Sequence, residues 1–175
     1  LKEAGKAAVV VAGYAQPPAV HALAAAINAA LGAIGTTVTL VQPTEPPSSG
    51  IGDLAASLGA GKVSTLVILG GNPAYNAPAD LAFESAAKKA ATIIRLGYYE
   101  DETAALATWH LAGTHFLEAW GDARTADGTV VPVQPLVEPL FGGLTDLEVL
   151  ARILGESKAS PYDIVRETLK GLGAS

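Results

Sequence analysis

Three stretches of the chain carry residue types able to do chemistry. Gly70-Gly71-Asn72-Pro73-Ala74-Tyr75 follows an apolar run and precedes a helical pattern. Glycines allow left-handed backbone and let a ligand approach the main chain closely. Asn72 can cap a turn or read a polar edge, and the N–H groups opening the next helix suit an anion. The same residues also make a tight strand-to-helix turn that holds nothing. Neither phosphate-binding fingerprint is present, because no Lys-Ser/Thr pair follows the glycines and the GxGxxG spacing is missing.

The second stretch is Tyr98-Tyr99-Glu100-Asp101-Glu102-Thr103. Paired carboxylates can act as acid and base or hold a hard cation, which leaves open a hydrolase using Glu100, Asp101 or Glu102. A short acidic run equally suits a solvated loop or the start of a helix. The third stretch holds His110, His115, Glu118 and Asp122, whose spacing matches neither HExxH nor another closed metal site. His21 stands on a helix with no evident partner, and no serine lies in a nucleophile elbow. Trp109, Phe116 and Trp120 suit core or interface anchors better than a stacking platform. No residue is assigned as catalytic and none as a metal ligand.

Elements must position these stretches. Residues 6–12 form a continuous apolar run ended by Gly13, the pattern of a strand buried on both faces. Pro17-Pro18 opens a helix, where proline costs no internal hydrogen bond. Val20, Leu23, Ala24, Ile27, Leu31 and Ile34 give that helix an apolar stripe, and Gly35 ends it. Residues 37–41, 64–69 and 92–96 read as further strands, rich in β-branched side chains. Residues 53–58 and 78–90 read as helices, with Asp80 in the first turn of the second. Residues 42–50 form a loop with three prolines and two serines.

The later half is less regular. Residues 103–106 suit a helical turn and 107–111 a strand. Residues 129–134 suit an edge strand because of Pro132. Thr145-x-x-Glu148 is a capping box, and Ser160-Pro161-x-Asp163 supplies a cap, a first-turn proline and a first-turn acid. Alternating strands and helices imply right-handed crossovers and a parallel sheet. The expected fold is α/β: three layers, a mainly parallel open sheet with helices on both faces, Rossmann-like. One domain is expected over residues 1–175. Ligands of such sheets bind beyond the strands' carboxyl ends, where loops 13–17, 42–50, 70–77 and 97–102 should gather.

Composition excludes several functions. Half of the residues are hydrophobic and 16% are charged, a balance that supports a packed core rather than disorder. The net charge is −6 with no basic cluster, so neither nucleic acid nor an anionic membrane is an expected partner. No apolar run reaches the ~18 residues of a membrane span, so direct membrane insertion is not expected. Without cysteine, disulfides, thiolate metal sites and cysteine catalysis are excluded. Methionine is absent too, the initiator included, and Leu1-Lys2-Glu3 is no signal peptide. Together these suggest a domain cut from a longer chain or redesigned. An alanine-rich sequence lacking both residues by chance is the alternative.

One family likeness runs through much of the chain. Leu66-Val67-Ile68-Leu69-Gly70-Gly71-Asn72-Pro73-Ala74-Tyr75 and Pro78-Ala79-Asp80 resemble the molybdopterin oxidoreductases. Glu102-Thr103-Ala104, Ala107-Thr108-Trp109-His110-Leu111 and Phe116-Leu117-Glu118-Ala119-Trp120-Gly121-Asp122 follow in the same order. Asp127-Gly128-Thr129-Val130, Gln134-Pro135 and Pro139-Leu140 continue it. Gln16-Pro17-Pro18-Ala19-Val20-His21 and Tyr162-Asp163-Ile164-Val165-Arg166 are similar to the fused iron–sulfur and molybdopterin-like subunits of alternative complex III.

The resemblance implies a non-catalytic scaffold domain with no cofactor of its own. Its setting would be a bacterial, periplasm-facing, membrane-associated complex that oxidises quinol. Its partners would be neighbouring domains or subunits of that complex. In cofactor-bearing relatives the loop matching residues 70–75 lies against a pterin dinucleotide, so Gly71, Asn72 and Pro73 become a vestigial cofactor contact. No residue matches the molybdenum ligand. The alternative is a module that binds a nucleotide or dinucleotide in the strand-end cleft.

Overall fold

A computed structural model describes residues 1–41, 48–125, 127–156 and 160–173. Contacts group the chain into two compact units. One is Leu1–Pro46 with Ala126–Gly128, and the other is Pro47–Thr125 with Thr129–Ser175.

In the first unit a 3-10 turn (Gly5–Ala7) precedes helix α1 (Pro18–Ala30), whose first residue is proline, as expected. The strands expected at 6–12 and 37–41 do not form among the described residues. Residues 37–41 contribute only an isolated bridge, Val38 to Ile34. A strand needs a partner for its N–H and C=O groups, and here side chains supply partners instead. The Val10 N–H donates to Asn28 Oδ1 at 2.9 Å, and Asn28 Nδ2 donates back to the Val10 carbonyl at 2.8 Å. Thr37 Oγ1 donates to the Ala8 carbonyl at 2.9 Å. Asn28 is the one buried residue of α1. Val20 and Leu23 of its apolar stripe are exposed, as are Val9 and Val11.

The second unit carries the sheet. Helix α2 (Ile51–Gly59) leads to strand β1 (Thr65–Leu69) and a one-turn helix α3 (Pro73–Asn76). A 3-10 turn (Ala79–Leu81) and helix α4 (Phe83–Ala87) precede strand β2 (Thr92–Gly97). Another 3-10 turn (Ala104–Leu106) then enters strand β3 (Trp109–Ala112). These strands form a parallel sheet in the order β1-β2-β3, with Leu66 beside Ile93, Ile68 beside Arg95, and Arg95 beside His110. The α/β class and the parallel pairing match the sequence expectation. The core lies between Leu66 and Ile93 of the sheet, Ala55 and Leu58 of α2, and Phe83, Ala86 and Ala87 of α4. Each large side chain among them stabilises the fold by about 1.5–3 kcal/mol relative to exposure.

The single helix expected over 78–90 is broken at Ala82, the one non-glycine residue described with positive φ (44°). Leu81 and Phe83 are two positions apart, so a continuous helix would point them to opposite faces. The break lets both pack in one core.

A second, two-stranded antiparallel sheet pairs β4 (Gly121–Arg124) with β5 (Val130–Val133). Pro132 lies opposite Asp122 in this ribbon, where a missing N–H is tolerated at an edge. Helix α5 (Asp146–Ile153) begins at the expected capping box: Glu148 N–H donates to Thr145 Oγ1 at 3.1 Å, and Thr145 N–H donates to Glu148 Oε2 at 2.8 Å. Helix α6 (Pro161–Gly171) starts at Ser160, whose hydroxyl accepts from Asp163 N–H, and buries Val165. Among the described residues no helix is long and apolar enough to cross a membrane.

Candidate functional site

A cleft of about 540 Å³ opens at the carboxyl ends of the three parallel strands, wholly within the second unit. This is the edge where the sheet's polarity directs ligands. Gly70, Gly71 and Asn72 follow β1, Gly97 and Tyr98 end β2, and Gly113 and Thr114 follow β3, all lining it. Gly70 and Gly71 both have φ near +68°, at 69° and 67°, so this turn does require glycine.

The loops after β1 and β2 are tied together by Asn72. Its Oδ1 accepts from Thr103 Oγ1 at 2.6 Å and from Thr103 N–H at 3.2 Å. Its Nδ2 donates to Glu102 Oε2 at 2.7 Å, and Thr103 Oγ1 in turn accepts from Ala74 N–H at 3.0 Å. The Asn72 bond holds the Glu102 carboxyl below its usual range. Pro73 opens α3 and stands outside the cleft lining. Thus Gly71 and Asn72 face the cleft, while the Asn72 amide is occupied by the neighbouring loop.

Arg95 forms the cleft floor and is 3% exposed. Its Nη2 donates to Asp101 Oδ2 at 2.5 Å and its Nη1 to the Leu96 carbonyl at 2.6 Å. A Cβ at Gly97 would overlap Nη1, so glycine there gives the guanidinium its space. Burial raises the Asp101 pKa. The hydrogen bond and charge of Arg95, with the N–H groups of Ala104 and Thr103, outweigh it and hold the carboxyl below its usual value. Nε of Arg95 and Nδ1 of the adjacent His110 are buried without a partner among the described residues.

The acidic run therefore splits between structural partners: Asp101 serves Arg95, and Glu102 serves Asn72. Glu118 accepts from the N–H groups of His115 and Leu140, fastening two loops. Among the described residues no group of three or more His, Asp and Glu is placed to hold a metal ion.

The remaining walls come from segments that the strand-end argument did not include. Phe116 and Trp120 follow β3, Asp122 lies on β4, and Thr145 with Asp146 opens α5. Trp120 packs on Tyr162 at 4.9 Å between ring centroids, and the Arg166 guanidinium stands 5.6 Å over the Tyr162 ring. A signal for the floor is present in sequence: Arg95 interrupts an apolar strand, so it requires a partner, and Asp101 follows closely. Of the other expected loops, residues 42–47 lie outside the described residues, and 13–17 belong to the first unit.

Compared with known proteins, the chain matches no family model and no curated protein.

Proposed function

We propose that the chain is a non-catalytic scaffold domain, similar to the cofactor-free molybdopterin-like part of a quinol-oxidising electron-transfer complex, and that its sheet is the centre of a Rossmann-like layered fold. The observation that carries this reading is one stretch of the second unit whose large apolar side chains are exposed. Leu136, Leu140 and Phe141 are 78%, 69% and 91% exposed. Three large apolar groups exposed within one short stretch of chain suit contact with other chains or domains. The engagement of Asn72, Asp101 and Glu102 with partners inside the chain supports it, because these groups tie loops together rather than await a substrate.

The test is co-purification with the remaining subunits of such a complex. The chain should co-elute with them. Replacing Leu136, Leu140 and Phe141 by serine should abolish co-elution while leaving the urea midpoint unchanged. Quinol turnover by the chain alone, or an assembly indifferent to the triple substitution, would overturn the reading.

The size of the cleft favours a second reading, a module that binds a nucleotide or dinucleotide. Its volume lies within the ~300–1,000 Å³ of small-molecule pockets. Gly71 and Asn72 would line the phosphate side, with the aromatic rings toward the base. Guanine nucleotide above its Kd should then raise the thermal midpoint progressively, with the logarithm of ligand concentration, as linkage requires. A midpoint unmoved by millimolar nucleotides of every base would remove this reading.

A further inference from the structure

The cleft has an uneven chemistry. Among the described residues its one lining cation, Arg95, is cancelled by Asp101 at 2.5 Å. Two lining carboxylates, Asp122 and Asp146, are left in excess, and neither makes an ion pair among the described residues. Asp146 lies in the first turn of α5, where the helix dipole favours its charge. Asp122 has no such support. The walls add Tyr98, Tyr99, Phe116 and Trp120, and the first three expose 58%, 76% and 61% of their surface. Rings present a negative face to a cation. The chain already uses this contact nearby, where Arg166 stands over Tyr162.

We propose that this cleft binds an organic cation: a protonated or quaternary amine carried on a ring-sized apolar group. The ammonium faces Asp122 and Asp146, and the apolar group lies among Tyr98, Phe116 and Trp120. Anions meet excess carboxylate. Small inorganic cations lose strong hydration without repayment from rings. An organic ammonium is more weakly hydrated and uses both features. The inference shares with the second reading only that the cleft is a small-molecule site, and it replaces the nucleotide by a cation.

Three probes of similar size separate the charges: phenylalaninamide (cation), N-acetylphenylalaninamide (neutral) and 3-phenylpropionate (anion). Binding is read by emission of Trp120 in a Trp109→Phe background and by calorimetry. The cation should bind saturably and tightest. Asp122→Asn with Asp146→Asn should weaken it about tenfold, the loss expected of a partly exposed charge contact. Phe116→Ala should weaken all three probes. Each variant is compared at an unchanged urea midpoint, and Asp122→Glu should retain binding if the double variant proves unstable. Equal or better binding of the neutral or anionic probe overturns the inference. If nucleotides raise the midpoint while the three probes bind alike, the ligand-binding reading stands and this inference falls. If neither nucleotides nor any probe binds, both fall and the scaffold reading remains.

Discussion

Arg95 and Asp101 show how one charged residue in an apolar strand organises a site. The guanidinium is buried, so removing its partner leaves a charge without compensation. Asp101→Asn should destabilise the fold by about 3 kcal/mol, the low end for a broken buried pair because Asp101 keeps some contact with water. Urea unfolding measures this. The pH dependence has a definite sign. Asp101 and Glu102 both have lowered pKa values in the folded state. Their contribution is complete above the ordinary carboxylate range and is lost as pH falls below about 4. The wild-type stability curve should drop there, and the Asp101→Asn variant should show a shallower drop. A curve unchanged by the substitution would contradict the assignment. Gly71 and Asn72 were legible as strand-end residues because a Gly-Gly turn after an apolar run marks where a strand stops, although the same pattern also makes a turn that holds nothing. Asp122 and Asp146 were not placed there by the sequence, because they enter from segments distant in the chain.

At the scale of elements, local signals located most of the second unit. β-branched runs marked β1 and β2, and caps marked α5 and α6, because these depend on neighbouring residues alone. Strand β4 escaped, since Gly121-Asp122-Ala123-Arg124 has no apolar alternation. Only the Asp127-Gly128 turn, with Gly128 at φ 90°, hints at a hairpin. The runs at 6–12 and 37–41 have strand composition, yet a ladder also needs partners, and periodicity does not specify partners. Two substitutions separate local from tertiary control. Thr145→Ala removes the cap of α5 and should cost about 1 kcal/mol. Gly143→Ala brings a Cβ within 3.0 Å of the Gly113 and Thr114 backbone, where rigid main chain must move. It should cost about 1–3 kcal/mol as overpacking, with earlier amide exchange at Leu144, whose N–H donates to the Ala112 carbonyl at 2.8 Å. Leu144 exchange unchanged in Gly143→Ala, or hastened as much in Thr145→Ala, would argue against this distinction.

For the whole molecule, the second unit holds the parallel sheet, the principal core and the cleft. A fragment spanning residues 48–175 should therefore unfold cooperatively in urea and keep near-ultraviolet dichroism from Trp109 and Trp120. A broad transition without that signal would show that the sheet relies on the first 47 residues. One feature bears on the behaviour of concentrated solutions. Among the described residues β1 pairs only with β2, so its outer side carries a short row of peptide groups with no strand partner there, beside side chains of high β-propensity. Such a border is a template onto which another extended segment can dock. Crowded or partly unfolded samples are therefore predisposed to ribbon-like growth from that border, well before the hydrophobic centre is breached.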